Sequence, residues 1–246
     1  MPQYVGSKWR KTTALLRDKT LQRLVPKTVR FNLSQLGKML EQFGMVYVKP
    51  EHGTFGFGVM RVEQTKQGYH FQILKHKRSY QSLSAMYKAI RKETKGKSYL
   101  IQRGVHLLTY KGRRFDLRVM VQMNPRKKWE TTGIIGRVAA PRKIVTNYHS
   151  GGTPTSINRL LASQTDKKTY AKTIEALENM GEKTGQAMQK KFPGVRELGV
   201  DVGMDHTFTP WILEVNTRPD HYIFRKLSDP SVFKKIRRYA KAYGRK

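Results

Sequence analysis

The chain of 246 residues contains no cysteine and has few acidic residues, with 17 Asp and Glu against 49 Lys and Arg. The absence of cysteine excludes disulfide bonds, thiolate zinc sites and a cysteine nucleophile. The sequence also lacks the run of roughly 18 apolar residues that a membrane-spanning helix needs, and its first residues lack the apolar stretch of a secretory signal. These absences predict a cytoplasmic protein without a membrane span.

The shortage of acids leaves a net charge of +32. A charge of this size predicts an anionic partner, for which nucleic acid, a polyanionic cell component, an acidic peptide and the triphosphate of a nucleotide are candidates. Charge alone does not rank them, and solubility is the simplest alternative explanation. A dedicated nucleic-acid binder is the least favoured reading, because no motif with base-reading geometry is present.

The order of apolar patterns predicts an α+β fold in two lobes. A basic helix is expected from Lys8 to about Arg23, and Ser34 is expected to cap the next helix. Residues 165–192 read as one long amphipathic helix or two short ones. The predicted organisation is an amino-terminal helical segment over 1–31, a first lobe with a glycine-rich loop over 32–102 and a second lobe with a metal site over 103–246.

A glycine-rich hairpin follows the predicted strand 45–49. Lys49 ends that strand, and Gly53, Gly56 and Gly58 follow within a short loop. Glycine lets backbone N–H groups turn toward an anion, and a nearby ammonium adds charge at the same oxygens. The spacing matches neither a Walker A loop nor a dinucleotide fingerprint. Two readings are open, a phosphate-binding loop and an ordinary turn.

Three oxygen-bearing side chains are predicted to meet on one face of a later hairpin. Glu214 and Asn216 are two residues apart in a strand, so they point to the same face. A turn centred on Thr207 and Phe208 places Asp201 opposite Glu214. Two carboxylates and an amide suit Mg²⁺, which also keeps water and substrate phosphates as ligands. The alternative is that each acid pairs with an abundant Arg or Lys.

Two further segments carry polar residues that chemistry can use. Asp116 and Arg118 share one face of a strand, where Arg118 can bind a phosphate bidentately and Asp116 can orient it or another basic group. An internal ion pair between them is the alternative. Asn147 begins the polar loop Asn-Tyr-His-Ser-Gly-Gly, which alone indicates little.

Taken in order, these motifs resemble the ATP-grasp superfamily. Val-Tyr-Val-Lys-Pro, Phe-Asp-Leu-Arg-Val and Leu-Glu-Val-Asn-Thr-Arg-Pro resemble the YheC/YheD group of endospore coat-associated proteins in particular, and the resemblance runs from about Ser7 to about Tyr243. It implies an ATP-grasp fold with two α+β lobes and the nucleotide between them. A full amino-terminal substrate domain, which typical ligases of the superfamily carry, is not expected in this chain.

The resemblance also implies roles for individual residues. Those expected to bind ATP are Lys8, Lys49, Gly53, Thr54, Phe55, Gly56, Gly58, Gln102, Arg103 and Val105. Those expected to hold Mg²⁺ are Asp201, Glu214 and Asn216. The expected catalytic residues are Arg118, Asn147 and Arg218. Arg118 is expected to contact the phosphates, and Asn147 and Arg218 are expected to face the reacting carboxylate or the transferred phosphoryl group, although for these two an ordinary polar loop is an equal alternative. The bulky Phe55 and Phe57 depart from the usual loop, and they either close over phosphates or pack on the lobe.

Active members of the superfamily join an amine or another nucleophile to a carboxylate through an acyl phosphate. The leading hypothesis is therefore an ATP-dependent carboxylate–amine ligase that acts on an acidic peptide or polymer in a sporulating cell. The alternative is a structural protein of the endospore coat that keeps the fold and binds a polyanion without turnover. Either hypothesis adds an association with the endospore coat to the expected cytoplasmic location.

Overall fold

The computed structural model describes residues 2–162 and 164–245, which form two lobes that are each built on an antiparallel sheet. The helices are α1 (Lys8–Leu15), α2 (Lys19–Gln22), α3 (Leu33–Phe43), α4 (Leu83–Thr94), α5 (Ile157–Leu161), α6 (Lys167–Lys191) and α7 (Pro230–Ala242). The strands are β1 (Thr28–Arg30), β2 (Met45–Pro50), β3 (Met60–Thr65), β4 (Gly68–Ile73), β5 (His76–Tyr80), β6 (Tyr99–Arg103), β7 (Thr109–Tyr110), β8 (Arg113–Met123), β9 (Trp129–Val138), β10 (Thr153–Thr155), β11 (Glu197–Met204) and β12 (Pro210–Asn216). Short 3-10 helices cover Tyr148–Ser150 and Tyr222–Lys226.

The first lobe has a sheet with the strand order β1-β6-β2-β3-β4-β5, and it packs against α3 and α4. Because successive side chains of a strand point to opposite faces, β2 buries Val46 and Val48 in the core of the lobe and leaves Tyr47 and Lys49 half-buried. The β2–β3 connection is the glycine-rich hairpin that the sequence predicts. Strand pairing thus holds Lys49 at the start of that loop.

The start of α3 differs from the prediction. Asn32, not Ser34, is the N-cap, and its side chain accepts a hydrogen bond from the backbone N–H of Gln35 at 2.8 Å. Asn is among the strongest N-cap residues, so the helix begins two residues earlier than expected. Gly44 ends the helix with φ +68, in the left-handed region that glycine tolerates best.

The second lobe has the strand order β10-β9-β8-β11-β12, with the short β7 also paired to β8. The helix α6 lies along one face of this sheet as a single helix of 25 residues, which decides between the two readings of the sequence. Gly185 permits the close approach, because a Cβ there would lie 2.3 Å from Cδ2 of Trp129. Part of the other face packs against α7 around Ile223, Phe224 and Ile236.

The amino-terminal segment is divided between the two lobes. Leu15 and Leu21 from α1 and α2 are buried in the core of the second lobe, whereas β1 pairs with β6 in the first. The single helix expected from Lys8 to about Arg23 is wrong, because Asp18 caps a new helix by accepting bonds from two backbone N–H groups. Within the described parts of the chain, no helix has the length and apolar character to cross a bilayer.

Candidate functional site

Two cavities lie in the cleft between the lobes and share Asn147, Asp201 and Glu214 as lining residues. The first has a volume of about 90 Å³. Its apolar lining residues are Tyr47, Val59, Val105, Leu107, Ile144 and Leu213. The second has a volume of about 450 Å³, and its polar lining includes Arg118 and Arg218. An apolar slot beside a charged chamber can hold a molecule with a flat apolar part and an anionic part.

The β11–β12 hairpin places the three expected metal residues together. Asp201 pairs with Glu214 across the hairpin, as the sequence predicts. Asn216 lies on the same face, and its Nδ2 is 3.4 Å from Oδ2 of Asp201. Two carboxylates and one amide therefore face the polar cavity.

Asp201 is held by two arginines. Its Oδ1 lies 2.6 Å from Nε of Arg118 and 3.0 Å from Nη2 of Arg137. Burial alone would raise the pKa of Asp201, but the charges of the two arginines lower it to about 2. The alternative considered for this acid, an ion pair with arginine, is therefore present at Asp201.

The ion pair between Asp116 and Arg118 that the sequence offers as an alternative is not the pair that forms. Asp116 binds Arg137 through two contacts of 2.9 and 2.5 Å, whereas Arg118 binds Asp201. Arg137 was not predicted, because its role depends on its position opposite Asp116 in the β8–β9 ladder. The result is a buried chain of two carboxylates and two guanidinium groups at the base of the cavity.

The donor set fits Mg²⁺ as an ion bound together with phosphates. Among the described residues, the one hydrogen bond to Oδ2 of Asp201 is the long contact of 3.4 Å from Asn216, and Oε1 of Glu214 is 3.3 Å from Nζ of Lys8. Among the described residues, no cluster of three or more His, Cys, Asp or Glu side chains is placed to hold a metal. Mg²⁺ needs few protein carboxylates when substrate phosphates and water complete its octahedron. The residues suit that arrangement better than a structural metal.

Three lysines surround Glu214. Nζ of Lys8 is 2.7 Å from the carbonyl oxygen of Gly53 as well as 3.3 Å from Glu214. Nζ of Lys49 donates to Oε1 of Gln102 at 2.5 Å. Burial lowers the pKa of Lys49 to about 8, and the charge of Glu214 opposes this effect only in part.

Lys11 is the third lysine, and sequence reasoning missed it. Its side chain is only 5% exposed, and no described residue gives it an ion pair within 4.0 Å or a hydrogen bond. Burial lowers the pKa of Lys11 to about 8, against partial compensation by Glu214. The spacing of three residues from Lys8 in one helix was the available signal, since residues i and i+3 share a face.

The glycine-rich loop lies against the second lobe. Oγ of Ser150 donates to the backbone oxygen of Phe55 at 3.1 Å, and the ring centroids of Phe55 and His149 are 4.3 Å apart. Phe55 has φ +59 and is 46% exposed, while Phe57 is 63% exposed. Neither phenylalanine packs into the core of its own lobe. Phe55 instead connects the loop to the segment that follows Asn147.

The strand β6 and the residues after it form the back of the apolar cavity. Gln102 lines this cavity, but its amide group is bonded to Lys49, to Thr28 and to the backbone oxygen of Leu213. The guanidinium of Arg103 lies over the ring of Trp211 at 4.9 Å. The backbone N–H of Val105 has no hydrogen-bond acceptor among the described residues, so it can donate to a ligand in the cavity.

The structure brings most of the predicted residues to this cleft. Arg118, Asn147 and Arg218 line the polar cavity together with Thr54, Phe55 and the three residues that the sequence predicts as metal ligands. Lys49, Gly56, Gln102, Arg103 and Val105 line the apolar cavity. Lys8 and Lys49 line a smaller space beside it, where they join Lys11. Arg218 is exposed and has no ion pair within the described part of the chain.

Solved structures define the class of fold. The structure of the D-cycloserine synthetase DcsG matches with a TM-score of 0.58 and 11% identity, over 96% of this chain and 70% of that one. The C-terminal domain of Pby1 from K. lactis, an ATP-grasp enzyme interacting with the mRNA decapping enzyme Dcp2, matches with a TM-score of 0.51 and 14% identity, over 96% and 72%. The expected α+β, ATP-grasp fold is confirmed.

The sequence comparison then defines the family. The profile of the YheC/D-like ATP-grasp family matches residues 2–246, and the chain belongs to that family. It is 24% identical over 225 residues to the endospore coat-associated protein YheD of Bacillus subtilis (strain 168), covering 89% of this chain and 49% of YheD. It is 20% identical over 217 residues to the endospore coat-associated protein YheC of the same strain, covering 86% and 59%. The chain thus spans about half the length of these relatives.

Proposed function

We propose that this ATP-grasp protein binds Mg-ATP in the cleft between its lobes and uses it to activate a carboxylate for attack by an amine. The observation that carries the proposal is the charge of the smaller space beside the apolar cavity, where Lys8, Lys11 and Lys49 are lining residues and Glu214 is the one acidic residue among the described lining residues. Buried excess positive charge is costly without an anion. The negative charge of a triphosphate would offset the positive charge of these three lysines.

The apolar cavity suits the adenine ring. Tyr47 and Leu213 supply apolar surface, and the free backbone N–H of Val105 provides a donor for the ring edge. The phosphates then extend past Lys49 toward the glycine-rich loop. The amide of Gln102 contributes by holding Lys49, since its own hydrogen bonds are already made.

The polar cavity suits the reacting groups. Asp201, Glu214 and Asn216 would hold Mg²⁺, which neutralises phosphate charge when bound. Arg118 is kept in place by Asp201, so its remaining guanidinium N–H groups can be directed at an oxyanion. Arg218 is free to bind a carboxylate, and Asn147 joins the two cavities. In this arrangement the carboxylate attacks the terminal phosphorus and displaces ADP. An amine then attacks the carbonyl carbon of the acyl phosphate, and phosphate and the amine's proton leave as the amide forms.

We propose an acidic peptide or polymer as the carboxylate substrate, because the net charge of +32 attracts polyanions. We also propose an association with the endospore coat, which the names of YheD and YheC describe for those two proteins. A second candidate function is a coat-associated protein that holds a polyanion without turnover. The net charge of +32 supports this candidate, because one nucleotide site accounts for only a small part of it.

The experiment is calorimetric titration with ATP, with and without Mg²⁺, followed by an assay for ADP and phosphate release in the presence of acidic peptides and amino acids. We expect Mg²⁺-dependent binding that Glu214→Ala or Asn216→Ala abolishes while the thermal unfolding transition is kept. Substrate-stimulated ADP release supports the ligase, and binding without turnover supports the second candidate. An absence of binding refutes the nucleotide proposal.

A further inference from the structure

A third cavity, with a volume of about 360 Å³, lies outside the cleft. Lys111, Arg113, Arg159 and Lys226 line it, and no acidic residue does. It shares no lining residue with the two cleft cavities. Its volume falls within the roughly 300–1,000 Å³ of small-molecule sites. We call it the outer cavity.

The four cations of the outer cavity come from three separate elements. Lys111 lies in the two-residue turn between β7 and β8, which fixes Arg113 at the start of β8. Arg159 belongs to α5, whose neighbouring Leu160 is fully buried in the core of the lobe. Lys226 ends a 3-10 helix that is anchored by the buried side chain of Phe224. The backbone positions of all four are thus set by packed parts of the fold, while the side chains of Lys111, Arg159 and Lys226 are exposed to solvent.

The charges of the outer cavity are not compensated by the protein. Within the described residues, none of the four cations has an acidic partner within 4.0 Å. Nε of Arg159 instead contacts the hydroxyl of Tyr110 at 3.2 Å. Like charges that face one space repel one another, so their convergence is unfavourable until an anion enters. By contrast, the buried arginines of the cleft each have a carboxylate.

We propose that the outer cavity is a binding site for a multivalent oxyanion, a group of linked phosphates or a run of carboxylates on an acidic chain. Arginine binds both groups through paired N–H donors, and lysine adds point charges at the rim. Hydroxyl groups of Tyr110 and Ser228 in the lining can complete the contacts. This assignment is independent of the nucleotide site and gives part of the excess charge a defined location.

The test uses two probes, inorganic tripolyphosphate and a short oligomer of glutamic acid, titrated at constant ionic strength. The test variant replaces all four cations, K111Q/R113Q/R159Q/K226Q. The control variant, K77Q/K88Q/R91Q/R126Q, removes the same charge from exposed positions elsewhere, which also have no ion pair with any residue that the structure describes. We expect the test variant to bind at least about tenfold more weakly and the control variant less than about twofold more weakly, because only the former loses charge-assisted hydrogen bonds.

Three outcomes distinguish the possibilities. Tighter binding of tripolyphosphate identifies a phosphate ligand, and tighter binding of the glutamate oligomer identifies an acidic chain. Equal weakening in the two variants, or an absence of binding to the unmodified protein, overturns the proposal. The cleft variant K11M/K49M separates this site from the nucleotide site, because binding in the outer cavity survives that change whether or not ATP binds in the cleft. If the test variant loses its unfolding transition, the pair R159Q/K226Q replaces it.

Discussion

Replacement of Lys11 by Met is expected to change stability and ATP affinity in opposite directions. Lys11 is 5% exposed and lacks a partner among the described residues, and burial lowers its pKa from 10.5 to about 8. Each pKa unit corresponds to roughly 1.36 kcal/mol, so the folded protein bears a cost of about 3 kcal/mol for keeping this lysine charged at pH 7. Methionine fills a similar volume without that cost.

The stabilisation should appear in thermal unfolding of the ligand-free protein. For chains of this size, 1 kcal/mol shifts Tm by roughly 2–4 °C, so a rise of up to about 10 °C is expected. ATP affinity should fall roughly 10- to 100-fold, since a charged hydrogen bond contributes about 1.5–3 kcal/mol. Calorimetric titration with Mg-ATP measures the second effect on the same samples.

Lys38→Met is the matched control, because Lys38 is exposed on α3. It should change the unfolding free energy by less than about 0.5 kcal/mol and leave ATP affinity unchanged. A general folding defect lowers stability and affinity together, so it cannot imitate the result expected for Lys11. A lower Tm in Lys11→Met, or an unchanged ATP affinity, would refute the reasoning.

Three further changes probe the cleft. ATP affinity should fall as pH rises from 8 toward 10, because Lys11 and Lys49 lose their protons in this range. The protein without ATP should gain stability over the same range, because the pKa values of both lysines are lowered on folding. Titrations in buffers of different ionisation enthalpy would detect the protons that the lysines take up when ATP binds, and an ATP affinity that does not change with pH would contradict this prediction. Asp201→Asn should cost about 3–5 kcal/mol in urea unfolding, because it leaves the buried Arg118 without a carboxylate and Arg137 with Asp116 alone. Acid should remove roughly 2.5 kcal/mol as pH falls from about 4 toward 2, because the pKa of Asp201 is lowered on folding, and an unchanged midpoint would exclude this role. Gly56→Ala should weaken ATP binding, because the added Cβ would lie 3.2 Å from side chains of the second lobe. Gly44→Ala is the control, because Gly44 has a similar φ of +68 but open space around the position of a Cβ. Equal effects of the two variants on ATP binding would point to backbone strain alone.

Local sequence patterns were sufficient for the hairpins that carry the site. Residues two apart in a strand share a face in any fold, and a turn around Thr207 predicts the pairing of Asp201 with Glu214 that the β11–β12 hairpin contains. The glycine-rich hairpin after Lys49 was predictable for the same reason. These predictions succeeded because the relevant contacts lie within about fifteen residues along the chain.

Contacts between distant segments were not predictable in this way. Arg137 meets Asp116 and Asp201 only because β8 lies between β9 and β11 in the sheet. Lys11 reaches the cleft because α1 packs on the second lobe; its spacing from Lys8 indicates a shared helix face but not which surface that face meets. The break between α1 and α2 depended on a capping residue, Asp18, in a stretch whose apolar spacing suits one continuous helix.

The polar cavity bears on the choice between a ligase and a protein that only holds a nucleotide. A nucleotide-holding protein requires the apolar slot, the lysines and the acids of the cleft. It does not require a chamber of about 450 Å³ beyond them, nor Arg218 directed into that chamber without an acidic partner among the described residues. An unpaired guanidinium beside the expected position of the terminal phosphate is the group that a second, acidic substrate needs. Arg218→Gln should therefore reduce substrate-stimulated ADP release much more than ATP binding, and equal losses in both would favour the nucleotide-holding protein.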